Sequence, residues 1–190
     1  MASQGPLSPT VQGEDATYGT QPWYGLGTEI LASDNTRLEC LASGTPGSSD
    51  SHYLTATGFG FSIPSGATIN GIGVEWEVRQ PSSSNTSFWR SRIIKDGSIG
   101  VYDLADGRSG GSSDSYLLFG GLGEWWLLNW TPADINDTGF GAAVGFHFGD
   151  NTSSIEVDHC RITVFYTELV ISTLGQSIVR GFSRRRSNNY

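Results

Sequence analysis

Several features that define whole classes of protein are absent from this sequence or rare in it. The 190 residues include only two cysteines, Cys40 and Cys160, and these match no zinc-binding spacing. No run of about 18 apolar residues occurs, so no transmembrane helix is expected. The opening letters MASQGPLSP lack the basic and apolar regions of a secretion signal. Glycine is frequent, at 26 residues, but it follows no three-residue period, which excludes collagen.

The few basic residues are unevenly placed. Residues 1–179 hold 7 basic and 19 acidic side chains, a net charge of −12, whereas residues 180–190 carry +4 and no acid. An acidic body repels nucleic acid and anionic membranes, so neither is an expected partner. The short basic end is suited to a phosphate group or an acidic protein surface.

The two cysteines allow two interpretations. In a reducing cytosol they are expected to be buried free thiols. A disulfide requires that Cys40 and Cys160 lie on adjacent strands and that the compartment is oxidising.

What the sequence has in abundance is the two-residue periodicity of β-strands. Residues 72–79 alternate between an apolar and a polar face, with Trp76 on the apolar side. A longer strand is predicted at 155–167. Further strand candidates are residues 37–42, 52–61, 88–95, 99–104, 115–119 and 140–148, separated by polar, glycine-rich turns. Many short strands of this kind predict an all-β protein, an antiparallel jelly-roll-like β-sandwich.

One short helical turn is predicted in WTPADIND, residues 130–137. Thr131 is a suitable N-cap, Pro132 a suitable first helical residue, and Asp134 lies where the acid of a capping box belongs. Gly139 is expected to end the turn in a left-handed conformation.

Both ends differ from the middle in composition. Residues 1–21 show no period of either kind and are predicted to be an extended N-terminal arm. Residues 22–167 form the predicted β-sandwich. Residues 168–190 are predicted to begin as a strand extension and to end as a basic arm.

Three segments in order along the chain resemble a β-sandwich module that recurs in tailed-bacteriophage virion proteins and in some secreted bacterial proteins. They are GFGFSIPSGATINGIGVEWEV (58–78), WTPADIND (130–137) and VDHCRITVFYT (157–167). Asp34 and Asn35 are similar to the early "DN" strand entry of that module. The resemblance implies a phage structural protein, one that decorates the head. Its motifs are turn and core residues, which are specific for the fold and weak for function.

Acidic residues and histidines offer no pattern that favours catalysis or metal binding. Glu75 and Glu77 share one strand face, whereas the two carboxylates of a glycanase stand across a cleft. Asp158 and His159 are strand neighbours that point to opposite faces, so they are not expected to act as a dyad. We therefore predict no catalytic residues and no cofactor.

Two sets of residues carry metal-binding side chains but lack the spacing of a metal site. The histidines His52, His147 and His159 have no partner at ligand spacing. The loop acids Asp103, Asp106 and Asp114 lack the fixed alternation of a calcium loop. We predict no metal site.

The densest aromatic stretch, EWWLLNW at 124–130, is the best candidate for a small ligand. Trp125, Trp126 and Trp130 can form a sugar platform, but they are equally explained as core or subunit interface. In a strand, Trp126 and Trp130 share one face with Leu128.

The resemblance therefore implies a non-enzymatic virion structural protein, a capsid decoration or cement protein that stabilises the head. Its expected partners are the major capsid protein or neighbouring virion proteins, and it is expected to be a homo-oligomer found in the virion, after assembly in the cytoplasm of the bacterial host. The alternative is a tail-fibre module that binds a receptor or sugar through the tryptophan-rich stretch. A third interpretation, a polysaccharide-degrading enzyme, rests only on the number of carboxylates. The predicted partner-binding residues are those of the C-terminal arm: Arg180, Phe182, Arg184, Arg185, Arg186 and Tyr190.

Overall fold

The computed structural model describes residues 1–42, 49–81 and 85–169. Within these residues the chain forms strands joined by loops and one short helix, α1 (Pro132–Asn136). The strands are β1 (Ala2–Leu7), β2 (Val11–Asp15), β3 (Trp23–Tyr24), β4 (Leu38–Leu41), β5 (Ser49–Asp50), β6 (Tyr53–Thr57), β7 (Thr68–Arg79), β8 (Thr86–Lys95), β9 (Ser98–Ile99), β10 (Ser115–Leu122), β11 (Gly141–Phe148) and β12 (Ser154–Thr167).

The strands build two sheets of antiparallel pairs. Sheet 1 has the order β10-β7-β12-β4-β3, and β1 also pairs with β12. Sheet 2 has the order β2-β6-β11-β8-β9, and β5 also pairs with β11. Neighbours in both sheets come from distant parts of the chain, as in a jelly roll. The prediction of an antiparallel jelly-roll-like β-sandwich is confirmed.

The core lies between the sheets, where the alternating strands predicted it. Ile72, Val74, Trp76 and Val78 of β7 are all fully buried. Across the core, the ring of Phe88 on β8 lies 5.1 Å from that of Phe119 on β10, between centroids. Aromatic and branched side chains of both sheets therefore interdigitate in one hydrophobic core.

Both cysteines belong to this core. Cys40 and Cys160 are buried and free, which confirms the interpretation as free thiols. Burial raises the pKa of the Cys40 thiol to about 12 and that of Cys160 well above its ordinary value. Neither thiol is therefore poised for reaction.

One predicted strand is much shorter than expected. Residues 99–104 contribute only the end of β9, because Asp103 makes a turn instead of continuing the ladder. Its carboxylate accepts from the backbone N–H of Ala105 at 3.0 Å and from that of Ser91 at 2.9 Å. A side-chain carboxylate thus replaces a strand partner beside β8.

The helical turn begins as predicted and ends differently. Thr131 and Asp134 form the reciprocal capping box, and Pro132 opens the helix. The helix ends at Asn136, and Asp137 is already extended, with φ −70° and ψ 143°. The left-handed conformation predicted for Gly139 is wrong. A Cβ there would lie 2.8 Å from the backbone nitrogen of Gly97, so space rather than φ requires glycine.

The prediction that residues 1–21 form an extended N-terminal arm is also wrong. Residues 1–21 supply β1, which pairs with β12 of sheet 1, and β2, which pairs with β6 of sheet 2. Backbone hydrogen bonds hold these strands, so they need little of the apolar periodicity that identifies a strand from sequence. Residues 1–21 therefore belong to the sandwich.

At the other end, β12 stops at Thr167, the predicted limit of the sandwich. Glu168 and Leu169 follow outside any strand. The remainder of the predicted strand extension and basic arm lies outside the described residues. Among the helices of the described ranges, none is long and apolar enough to cross a membrane.

Candidate functional site

The tryptophan-rich stretch at 124–130 is a loop and not a strand. β10 ends at Leu122, and Trp126 and Leu127 have φ values of 54° and 53°. Trp126 turns into the core, where its Nε1 donates to the carbonyl of Ile72 at 3.1 Å. The predicted shared strand face of Trp126, Leu128 and Trp130 is therefore wrong, because two left-handed residues reverse the chain between them.

Trp125 is the member of this stretch that reaches solvent, with 47% of its surface exposed. Its Nε1 already donates to the carbonyl of Ile69 at 3.1 Å, and its own carbonyl accepts from Nε1 of Trp130 at 2.9 Å. The neighbouring exposed side chains include Leu122 and Leu127. The Lys95 ammonium lies 5.2 Å from the centre of the Trp130 ring and donates to the carbonyl of Asn129, and Trp130 is partly buried against the core.

A different tryptophan, Trp89, occupies a more polar surface. It lies on the outer side of sheet 2, with 43% of its surface exposed. A β-bulge places it there: Arg90 pairs with Gly145 and Phe88 pairs with Phe146, which leaves Trp89 as the extra residue. Because Phe88 points into the core, the indole of Trp89 points outward.

The outer side of sheet 2 around this residue is called the Trp89 face and comprises Tyr18, Asp50, Tyr53, Trp89, Arg90, Arg92, Asp103 and His147. The imidazole of His147 lies 4.9 Å from the Trp89 ring, between centroids. Its Nδ1 is 2.6 Å from Oδ1 of Asp50, and Oδ2 of Asp50 accepts from the Tyr18 hydroxyl, also at 2.6 Å. Burial, assisted by Asp50, raises the pKa of Tyr18, which keeps that hydroxyl a donor. These hydrogen bonds fix the side chains beside the indole.

Two arginines extend the Trp89 face. The guanidinium of Arg90 lies 4.8 Å from the centre of the Tyr18 ring, and that of Arg92 lies 5.7 Å from the centre of the Tyr53 ring. One carboxylate serves both cations, since Oδ2 of Asp103 is 3.5 Å from Nε of Arg90 and 3.3 Å from Nε of Arg92. The cations are thus held over aromatic rings with several N–H donors available.

A cleft of about 400 Å³ adjoins the exposed indole. Its lining residues are Phe88, Trp89, Arg90, Ala105, Asp106 and Gly107. Asp106 pairs with Arg108 at 2.6 Å, and hydrogen bonding from that guanidinium lowers the pKa of the Asp106 carboxyl. The cleft therefore offers an apolar ring, a guanidinium donor and an ionised acceptor close together.

The acids singled out in the sequence are each buried or paired with a cation. Glu75 forms two hydrogen bonds with Arg161, at 2.8 and 2.9 Å, and Glu77 is buried. The loop acids do not converge either: Asp103 pairs with the arginines described above, Asp106 with Arg108, and Asp114 with Arg37.

The three histidines also lie apart. His52 contacts Glu14 at 2.9 Å, His147 contacts Asp50, and His159 contacts Tyr116 and Ser8. Among residues 1–42, 49–81 and 85–169, no group of three or more histidine, cysteine or acidic side chains is arranged to hold a metal ion.

The predicted partner-binding residues of the C-terminal arm, Arg180 to Arg186 with Phe182 and Tyr190, lie outside the described residues. Sequence reasoning missed the Trp89 face, although a signal for it exists. Phe88 and Trp89 are adjacent in a predicted strand, and strand neighbours point to opposite faces, so one of the two aromatic rings must leave the core. The long-range partners Tyr18, Asp50 and His147 have no such local signal.

Comparisons with known proteins give distant structural similarity. No protein-family model and no curated protein matches the chain. The CBM22-1 xylan-binding domain from Paenibacillus barcinonensis aligns with a TM-score of 0.41 and 9% identity, covering 86% of this chain and 92% of that domain. A family 11 carbohydrate-binding module from Clostridium thermocellum, solved with a β-1,3-1,4-mixed-linked tetrasaccharide, aligns with a TM-score of 0.37 and 12% identity, covering 82% of this chain and 87% of that module.

Proposed function

We propose that this chain is a non-catalytic glycan-binding module and that the Trp89 face with its cleft is the binding site. The observation that carries the proposal is the exposed ring of Trp89 at the edge of a cleft of about 400 Å³ that is also lined by Arg90 and Asp106. Ligand sites are typically apolar concave surfaces with a few well-placed polar groups.

The chemistry of this surface matches that of a sugar ring. One face of a pyranose is lined by C–H groups and packs against an indole, whose flat surface is large and apolar. The hydroxyls at the rim of the sugar need both donors and acceptors. Arg90 supplies N–H donors, and the ionised carboxylate of Asp106 supplies acceptor oxygens, so both kinds of hydrogen bond are charge-assisted.

The same surface favours a neutral ligand. The Trp89 face and its cleft balance Arg90, Arg92 and Arg108 against Asp50, Asp103 and Asp106. The rest of the chain is acidic, at −12 over residues 1–179. An anionic polysaccharide would therefore meet no excess of positive charge here and would be repelled at longer range.

The fixed roles of the acids support binding rather than hydrolysis. Asp50 accepts from Tyr18 and contacts His147, and Asp103 contacts two arginines. Carboxylates that are ion-paired or hydrogen-bonded in this way act as fixed hydrogen-bond acceptors. Glycoside hydrolysis needs in addition one protonated carboxylic acid that donates its proton.

Sugar binding agrees in kind with the alternative from the sequence, a receptor- or sugar-binding module of a phage tail, although the residues are different ones. The phage resemblance, the decoration of a capsid, the virion location and the homo-oligomer remain predictions. So does binding to neighbouring virion proteins through the arm residues of 180–190.

The test is affinity electrophoresis of the whole chain in gels that contain soluble polysaccharides. Xylan and mixed-linked β-1,3-1,4-glucan are the first neutral probes, and polygalacturonate is the anionic one. Trp89→Ala should lower affinity for the retaining neutral polysaccharide at least tenfold. Trp125→Ala is the matched control, since its ring is similarly exposed, and it should leave retention unchanged. Absence of retention in every gel, or loss with Trp125→Ala but not with Trp89→Ala, would overturn the proposal.

A further inference from the structure

A second group of polar side chains lies on sheet 1, away from the Trp89 face. Tyr116 on β10, Glu77 on β7 and His159 on β12 are opposite one another in register across three adjacent strands. His159 Nδ1 lies 2.8 Å from the Tyr116 hydroxyl, and its Nε2 lies 2.9 Å from Oγ of Ser8, between β1 and β2. Ser8 is exposed, and His159 is 6% exposed. A solvent-accessible serine is thus hydrogen-bonded to a buried imidazole.

The neighbours of Tyr116 determine which nitrogen of His159 carries the proton. Burial raises the pKa of Tyr116, Ser33 lowers it, and Glu77, whose carboxylate can only accept a hydrogen bond, raises it. When the Tyr116 hydroxyl points its proton toward Glu77, its oxygen accepts from Nδ1–H of His159, 2.8 Å away. Nε2 is left without a proton and accepts from the hydroxyl of Ser8. This is the tautomer in which a histidine serves as a base for serine.

The surroundings also keep the imidazole neutral. Burial lowers the pKa of His159, against the opposing effect of Glu77, while Arg161 acts in the same direction as burial and Glu75 opposes it. At neutral pH the ring is therefore in the form that can take up a proton.

We propose that Ser8 is an activated nucleophile that accepts an acyl group from an ester, with His159 as its general base and Tyr116 as a positioning residue. In this step Oγ of Ser8 bonds to the carbonyl carbon while its proton passes to Nε2 of His159. The ester C–O bond breaks, and the departing alkoxide takes the proton from Nε2. The proposal concerns one covalent modification of the chain, and it is independent of glycan binding.

A fluorophosphonate probe tests this site in the full chain, because it reacts with activated serines and leaves amines alone. Oγ of Ser8 bonds to phosphorus, the P–F bond breaks, fluoride leaves, and the hydroxyl proton passes to His159. Intact mass should show one label per chain, and peptide mapping should place it on Ser8. Ser62 and Ser65, which are exposed, serve as internal controls and should stay unlabelled.

Variants separate activation from mere exposure. Ser8→Ala should abolish labelling, and His159→Gln should slow it at least tenfold. Tyr116→Phe should slow it severalfold and shift the His159 ¹⁵N resonances toward the Nε2–H tautomer, a signature that a purely structural role would not produce. In the parent, the rate should rise with pH through a value below the ordinary histidine pKa of about 6.5.

Three results would overturn the proposal: no label on the folded parent while a serine hydrolase reacts in parallel, equal labelling of Ser8 and Ser62, or an unchanged rate in His159→Gln. If circular dichroism shows that His159→Gln does not fold, Tyr116→Phe is the deciding variant. An unchanged labelling rate together with an unchanged His159 tautomer in Tyr116→Phe refutes the proposal.

Discussion

Replacing Trp76 by alanine removes a fully buried indole from the middle of sheet 1. Trp76 is opposite Leu117 on β10 and Cys160 on β12, so strands flank it on both sides and the cavity cannot fill by a shift of one edge. Truncation of a large core aromatic costs about 3–5 kcal/mol. For a domain of this size, each kcal/mol lowers the melting temperature by about 2–4 °C, so the expected fall is roughly 6–20 °C.

Trp76→Phe refines the same prediction. Nε1 of Trp76 is buried and has no hydrogen-bond partner among the residues that the structure describes, so phenylalanine keeps an aromatic ring and removes an unsatisfied donor. Its cost should be under about 2 kcal/mol. Thermal and urea unfolding followed by circular dichroism measure both variants, and Trp125→Ala is the exposed control, expected within about 1 kcal/mol of the parent. A Trp76→Ala protein that melts within a few degrees of the parent would refute the reasoning.

Three further predictions concern other parts of the chain. Thr131→Ala removes the N-cap of α1 and should cost about 0.5–2 kcal/mol in urea unfolding, and no measurable loss would contradict the capping role. Burial raises the pKa of Asp158 in the folded state, so the folded protein loses stability as pH rises and this carboxyl ionises. The stability of Asp158→Asn relative to the parent should therefore increase between pH 3.5 and 7. A difference in stability that stays constant over this range would contradict the prediction. Deletion of residues 180–190 should leave the melting temperature nearly unchanged but weaken the predicted attachment to phage particles. This attachment should also weaken with added salt. Equal decoration by the truncated chain would exclude the arginines of residues 180–190 as the anchor.

Local patterns in the sequence were sufficient for much of the sandwich. The alternation at residues 72–79 identified both the strand and its core face, because a strand that is buried on one side needs an apolar residue at every second position. The capping box of Thr131 and Asp134 was equally readable, since its hydrogen bonds join residues three positions apart. In both cases the cause and the structure lie in the same few residues.

Partners that are distant in the chain were decided only by the tertiary structure. Residues 1–21 look like an arm because backbone hydrogen bonds to β6 and β12 leave no periodic trace in the side chains. Trp126 is held in the core by a donor–acceptor contact with Ile72, 54 positions away. The loop that makes this possible needs two left-handed residues, which strand periodicity does not reveal.

The candidate site shows the same division. Adjacency of Phe88 and Trp89 in a strand implies, from sequence alone, that one ring faces outward. Which ring does so depends on the bulge opposite Gly145 and Phe146. Sheet pairing then brings Tyr18, Asp50 and His147 to the same surface from three separate segments. Local side-chain alternation determines that a segment forms a strand. The residues that share a face depend on which strands pair and in which register, and this pairing is settled only when the whole core is formed.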